Sequence, residues 1–451
     1  MAPTVRSFSA DLEPLTLIEE FPDAYPGLLE SGAGMAASSS GSRFDILPIA
    51  GGESLCLSSD GGLSGPHAGA QGFLSALEGW WAELRLPEAA SPLPFTGGWL
   101  VYLSYELAGE VEPRLRLPPS RDPVIAVALR TPAAWIRDRA SGQAWLIAEP
   151  GHEALLDEFE TRVRGLRPSQ AAQDAVVAVS EDDPEIFLAA VRRALDYIAA
   201  GDVYQCNLSR GWQSGPALQA DPVRMYRQLR TANPSPFAAL LRYGDFALLS
   251  SSPERLVSIH GNTVSTRPIA GTRPRGATPE RDAALVRSLL ANEKERAEHV
   301  MLIDLERNDL GRVCAGGSVR VDEYMSVETY AHVHHIVSNV SGRLRADASP
   351  IAVIRALFPG GTITGCPKVR CMEIIAELEG IGRGAYTGSI GYLNRDGSCD
   401  FNILIRTITA QGGVFRFRAG AGIVADSNPA QELAETRAKA EGLVRALAGR
   451  P

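Results

Sequence analysis

The chain has 451 residues, 45% hydrophobic and 22% charged, with a formal net charge of −9. That is ample for a large buried core, and an acidic chain with no basic block is a poor match for nucleic acid or an anionic membrane. No apolar run approaches the ~20 residues of a membrane span, and the N-terminus lacks the apolar stretch of a signal peptide. The six cysteines (Cys56, Cys206, Cys314, Cys366, Cys371, Cys399) are scattered without a CxxC pair, so a cytoplasmic protein with free thiols is expected.

In chain order, residues 1–166 mix strand-like runs (WLVYLSYEL, PVIAVALR, AWLIAE) with short helices, and SGAGMAASSSGS (31–42) reads as a loop. A polar, Pro-containing stretch at 167–184 divides this region from residues 185–451. DYIAAGDVYQCNLSRGW then reads as helix, turn and strand. FALLSSSPERLVSIHGNTVSTRPIAG reads as a hairpin turning near His260-Gly261-Asn262. One helical pattern starts at Thr278-Pro279 and runs through LVRSLLANEKERAEHVMLI. DFNILIRTITA and GVFRFRAGAGIVA alternate as strands, and a last helix is capped at Asn428-Pro429. Many strands joined by tight turns, without strict βαβ alternation, predict an α+β fold with antiparallel sheets.

Glu295 and Glu298 are spaced i,i+3 on one predicted helix. Glu432 and Glu435 repeat that spacing on another, with Lys439 one turn further on the same face. Two such helices suit a hard divalent cation such as Mg2+, which takes few carboxylates, waters and an anionic substrate group; ordinary solvated helix faces give the same spacing. Ala419-Gly420-Ala421-Gly422 leaves backbone N–H groups open to a carboxylate, or else allows close strand packing. FPGGTITGCPK fails the phosphate-loop pattern, because its Lys does not directly follow Gly. His332, His334 and His335 have no partner Cys or HExxH, so zinc is not expected. Arg406, in an apolar segment, suits a carboxylate partner.

RPIAGTRPRG (267–276), KERAEHVMLIDLERNDLGRV (294–313), LFPGGTITGCPKVRCMEIIAELE (357–379), YTGSIGY (386–392), IRT (405–407) and AGAGIVADSNPAQELAETRAKA (419–440) resemble, in that order, the chorismate-binding enzymes. The resemblance implies two facing α+β halves with large antiparallel sheets and outer helices. It implies direct Mg2+ ligation by Glu298 and Glu435, with Glu295 and Glu432 reaching the ion through water, and the ion holding the ring carboxylate of chorismate. Arg406, Tyr386 and the backbone of Ala421-Gly422 match the site for the enolpyruvyl carboxylate, with Lys439 nearby. Glu254 matches the acid beside the ring carbon 4 hydroxyl, and His335 and Thr272 match active-site polar groups.

Gln205 stands where the water-using members resemble one another in carrying a Lys, which points to ammonia as nucleophile. Ala270, in PIAGT, stands where many aminodeoxychorismate-forming members carry a nucleophilic Lys. RPIAGTRPRG looks like the anthranilate-forming members, whereas SRFDI, GGWLVYLSYELAGEVE, VHHIVS and DFNILIRT look like the aminodeoxychorismate-forming ones. The expectation is 4-amino-4-deoxychorismate as product, with anthranilate as the alternative and a non-catalytic binding protein as a remote one. The resemblance further implies a separate glutamine amidotransferase subunit delivering ammonia. LLES…SRFDI resembles the family's tryptophan pocket, with Leu29, Ser31, Arg43, Phe44, Pro236 and Phe237 as its liners; an ordinary core turn is the other reading.

Overall fold

The computed structural model describes residues 2–32, 43–87, 91–166, 176–329 and 333–449. Among these, two antiparallel sheets of 12 and 11 strands dominate, each a path of strands with one more strand beside it: Gly365–Cys366 pairs with Gln205–Ser214 in the first, and Arg320–Thr329 with Val333–Arg343 in the second. The first runs Thr4–Phe8, Gln143–Ala148, Ala133–Asp138, Phe44–Ile49, Gly27–Glu30, Phe237–Tyr243, Phe246–Ser252, Thr407–Gln411, Val414–Ile423, Gln205–Ser214, Val179–Glu181. The second runs Ile269–Pro274, Val333–Arg343, Thr263–Arg267, Arg255–His260, Cys399–Asn402, Ser389–Asn394, Gly98–Leu103, Val124–Thr131, Ser54–Ser58, Leu63–Ser64. Strands from 1–166 and from 185–451 mix in both sheets, so the break at 167–184 divides the chain and not the sheets.

Strand alternation explains how the sheets face each other. Phe246 and Leu248 share a buried cluster with Leu100, Tyr102 and Val127 of the second sheet, and the Tyr102 and Phe246 rings lie 5.7 Å apart. Their strand neighbours Ala247 and Leu249 point the other way, into a cluster with Val223, Tyr226 and Leu229 of helix Pro222–Ala232 and Leu443 and Leu447 of helix Pro429–Leu447. A period of two therefore places one face on the opposing sheet and the other under helices.

Three local expectations need correction, and each correction positions the site. The run from Phe246 to Arg267 is more than one hairpin: Arg255–His260 and Thr263–Arg267 pair around the expected turn at Gly261-Asn262, but Phe246–Ser252 is not part of that pair. Phe246–Ser252 belongs to the first sheet and Arg255–His260 to the second, and the chain changes sheets at Pro253-Glu254, where the Pro has no N–H for a ladder. DFNILIRTITA is likewise not one strand. Cys399–Asn402 lies in the second sheet, Thr407–Gln411 in the first, and Arg406 sits at the crossing with φ of +51°. The two crossings lie side by side: Ile403 N donates to Glu254 O (2.9 Å) and Ser251 N to Arg406 O (3.0 Å).

The third correction concerns the long helical pattern from Pro279. It is two helices, Pro279–Ala291 and Glu293–Gly311, divided at Asn292. Asn292 is extended, and its side chain caps the second helix at the Glu295 N–H. The break starts a new helix with Glu295 in its first turn. The other two helix starts were legible: Thr278 accepts from Arg281 N, and Asn428 from Ala430 and Gln431 N.

Candidate active site

A cavity of about 790 Å3 opens beside the paired crossings. That is within the ~300–1,000 Å3 usual for ligand sites. Its wall takes Gln205, Ala270, Thr272, Glu295, Glu298, His335, Arg406, Gly422, Glu432, Glu435 and Lys439 from seven separate segments, all singled out in the sequence.

The four acids come from two helices, as their spacing suggested. Glu298 is half-buried, and its carboxyl lies above the usual carboxylate range through burial, reinforced by repulsion from Glu295, Glu432 and Glu435. Burial also raises Glu432. Two of the acids have cationic neighbours: Arg273 Nη1 is 2.6 Å from Glu295 Oε1, and Lys439 Nζ is 2.7 Å from Glu435 Oε1. Glu295 Oε2 is buried without a hydrogen-bond partner. Among the described residues, no three Asp, Glu, His or Cys side chains close on one point. An open array of mutually repelling carboxylates fits Mg2+, which keeps waters and shares substrate oxygens, better than an ion needing a closed protein cage.

Glycines and neutral dipoles build much of the remaining wall. Gly271 takes φ of +65° at a bulge between Ala270 and Thr272, where a Cβ would lie 2.9 Å from Glu295 Oε2. This brings the Ala270 strand against the acidic helix. Gly422 allows the Gln205 amide to lie on the backbone; a Cβ there would meet Gln205 Nε2 at 2.4 Å. Gln205 Oε1 is buried and unbonded. Lys439 Nζ donates to Gly420 O at 3.0 Å.

His335 Nδ1 pairs with Thr272 Oγ1 at 2.8 Å. Burial, helped by the nearby Arg406 cation, pushes His335 down to about 3, so its imidazole is neutral at pH 7. His334 points to the other face of the strand, between Thr329 and Asp282. His332 lies outside the described residues.

Glu254 is wholly buried just behind the cavity wall, next to Pro253. Burial pushes it up to about 7, with Glu306 adding to the rise and Thr362 and Lys439 opposing it. Its Oε1 makes no hydrogen bond. A carboxylic acid that keeps its proton near neutrality is suited to general acid work.

Tyr386 and Ala421 do not line the cavity. Ala421 is fully buried in the strand Val414–Ile423. The Tyr386 hydroxyl is 3.4 Å from Asn207 Nδ2, and it is Asn207 that reaches the cavity. Asn207, Arg273, Thr362 and Glu306 went unremarked in the sequence. Asn207 had no distinguishing signal, being one of three amides in the strand Gln205–Ser214, which also carries Ser209 and Arg210. Thr362 had none, because its importance comes from the turn Gly361–Ile363 folding against Glu254.

A second cavity, of about 90 Å3, is lined by Leu29, Ser31, Arg43, Phe44, Pro236 and Phe237 among others. All six residues matched to the family's tryptophan pocket therefore meet. Ser31 Oγ donates to Phe44 O (2.9 Å), and Arg43 Nε to Asp138 Oδ1 (2.7 Å). The segment AASSSG, which connects two of these liners in sequence, lies outside the described residues.

The family model described as chorismate binding enzyme matches residues 66–445. The chain belongs to the chorismate-binding enzyme family. It is 44% identical over 391 residues to aminodeoxychorismate synthase component 1 of Bacillus subtilis, covering 83% of this chain and 82% of that one. It is 43% identical over 366 residues to anthranilate synthase component 1 of Thermus thermophilus, covering 78% of each. Among solved structures, anthranilate synthase component I of Streptococcus pneumoniae superposes with a TM-score of 0.80 at 32% identity, covering 92% of this chain and 94% of that one. The chain is thus a chorismate-utilising enzyme, with relatives of both product types at similar identity.

Proposed function

We propose that this chain is an Mg2+-dependent aminating enzyme that converts chorismate and ammonia to 4-amino-4-deoxychorismate, a precursor of p-aminobenzoate and folate. A separate glutamine amidotransferase subunit supplies the ammonia. The observation that carries the reading is the position of Glu254, a buried acid holding its proton behind a cavity lined by four carboxylates together with Arg406 and Lys439.

Glu298 and Glu435, with Glu295 and Glu432 behind waters, would hold Mg2+. When bound, it supplies positive charge against the ring carboxylate of chorismate. Arg406 and Lys439 balance the enolpyruvyl carboxylate, and Asn207, whose amide nitrogen donates to Ile363 O and the Tyr386 hydroxyl, fixes the wall beside them. Glu254 gives its proton to the ring carbon 4 hydroxyl as the C–O bond breaks, so water leaves instead of hydroxide. Ammonia forms the new C–N bond, and the proton it then releases goes to solvent while Glu254 takes one back, which balances the proton given to the departing water. Gln205 cannot take a proton from water, which disfavours hydroxylation, and Ala270 leaves space for a small external nucleophile.

A second reading, anthranilate formation, is favoured by RPIAGTRPRG and by relatives of that name. Incubating the chain with chorismate, Mg2+ and ammonium, and identifying the product by mass and fluorescence, separates the two. The proposal expects aminodeoxychorismate; anthranilate would overturn the product assignment.

A further inference from the structure

The acids at the cavity are not held alike. Glu435 pairs with Lys439 one turn along the same helix, and both side chains are about half exposed. Such a surface pair is given up at little cost, and the flexible ammonium can turn to a substrate carboxylate. Glu295 pairs with Arg273 across two elements, the helix Glu293–Gly311 and the strand Ile269–Pro274, and these side chains are only 19% and 23% exposed.

Both oxygens of Glu295 are committed to that strand. Oε1 accepts from Arg273 Nη1 at 2.6 Å. Oε2 is buried with no hydrogen-bond partner among the described residues, where a Cβ on Gly271 would come within 2.9 Å of it. The helix side is fixed as well, since the Asn292 side chain accepts from the Glu295 N–H at 3.1 Å.

Arg273 is equally constrained. Its Nη1 also donates to Thr272 O at 2.9 Å. Its strand is anchored on both sides of it. Before it, Thr272 and His335 are register partners joined by a 2.8 Å side-chain hydrogen bond. After it, Asp282 Oδ1 accepts from Gly276 N (2.6 Å) and Arg275 Nε (3.0 Å), and pairs with Nε2 of His334, the register partner of Arg273, at 2.8 Å. The guanidinium is therefore a fixed charge at the cavity wall, which it lines together with Glu295 and Glu298.

We propose that Arg273 is the positioning residue that keeps Glu295 one water away from the cation. A carboxylate with one oxygen taken by a fixed guanidinium meets a divalent ion through water, and direct ligation falls to Glu298 and Glu435, whose carboxylates no fixed cation holds. The inference rests on the cation site in the functional reading above. Arg273 and the ion repel each other, so Arg273 also sets the affinity for the ion below what the four acids alone would give.

The test is Mn2+ affinity of the purified chain without chorismate, read by electron paramagnetic resonance of the free ion and checked by displacement with Mg2+, so turnover plays no part. Arg273→Gln should bind Mn2+ about tenfold more tightly than wild type, because a fixed positive charge beside the ion is gone. Arg273→Lys keeps the charge and should stay near wild type. Arg273→Met serves as the neutral variant if Arg273→Gln does not fold. In the wild-type background Glu295→Gln should weaken Mn2+ binding by only about threefold, whereas in Arg273→Gln, where Glu295 is free to ligate directly, the same change should cost about tenfold more. Unchanged or weaker binding in a folded neutral variant would reduce Arg273 to a structural group and overturn the proposal. Equal losses from Glu295→Gln in the two backgrounds would overturn it too. A wild-type chain that binds no Mn2+ would remove the cation site itself and this inference with it, which separates the two failures.

Discussion

Glu254 and Glu379 are both wholly buried glutamates, yet their surroundings drive them in opposite directions. Glu379 accepts from Arg383 Nη2 (2.6 Å), Arg418 Nη2 (2.8 Å) and the Ser209 N–H and hydroxyl (2.8 and 2.9 Å). Against the cost of burial, these partners hold it below the usual carboxylate range. Among the described residues Glu254 meets no guanidinium; it keeps one oxygen unbonded and sits near 7. A buried acid with its charge satisfied ties elements together, here the strands Gln205–Ser214 and Val414–Ile423 to helix Lys368–Glu379. One left unsatisfied stores a transferable proton. Burial alone does not mark a functional acid; burial without a cation does.

The largest effects expected are on the cation site. Glu298→Ala and Glu435→Ala should each lower turnover by about 10³-fold while the protein stays folded, because a metal ion is worth several kcal/mol of charge stabilisation. Circular dichroism and steady-state kinetics on the same samples check this; turnover near wild type in either variant would remove the metal assignment. Glu254→Gln keeps the shape but not the proton, and should cost ~10²–10⁴-fold in kcat. Since the acid works in its protonated form, wild-type activity should fall as pH rises through about 7. A Glu254→Gln rate within about threefold of wild type would deny the role.

Glu379→Gln tests the other side of the comparison. It strands two buried arginines, and should cost about 3–5 kcal/mol of stability in a denaturant titration, with turnover per folded molecule little changed. The sign with pH follows from the lowered pKa. Glu379 supports the fold at neutral pH, and that support is lost as pH falls through the carboxylate range. Ala270→Lys should act less strongly. Either it opens a covalent route with the same product, or it fills the cavity and slows the enzyme. No chorismate adduct should appear on the wild-type chain by intact-protein mass spectrometry without ammonia; an adduct would send the search to Lys368 and Lys439. The smallest effect concerns L-tryptophan. The second cavity is well below the usual ligand volume, so an indole must displace Arg43 or Phe44. A gain of only a few degrees in Tm is expected, lost in Arg43→Ala if that residue lines the bound state.

Much of the site was legible because its chemistry repeats along helices. The i,i+3 acids and Lys439 lie on one face each, and the glycines of AGAG and PIAGT mark close backbone approaches. What stayed hidden depends on which sheet a strand joins. SSPERL and ILIRT read as continuous strands, but both cross between sheets, and that crossing places Glu254 and Arg406 side by side. Nor did the apolar and charged pattern reveal the break at Asn292, since Asn serves equally as a surface residue and as a cap. Glu306 was hidden for a related reason: inside DLERNDL it looks like one more charge on a solvated face, until the Gly361 turn covers it.

The central claim is chorismate chemistry organised by a cation between two acidic helices. Its most direct test is chorismate consumption by the purified chain with ammonium, first in excess EDTA and then with Mg2+ restored. The account predicts consumption that stops with EDTA and returns with Mg2+ in the wild type, but does not return in Glu298→Ala. Undiminished consumption in EDTA would contradict it.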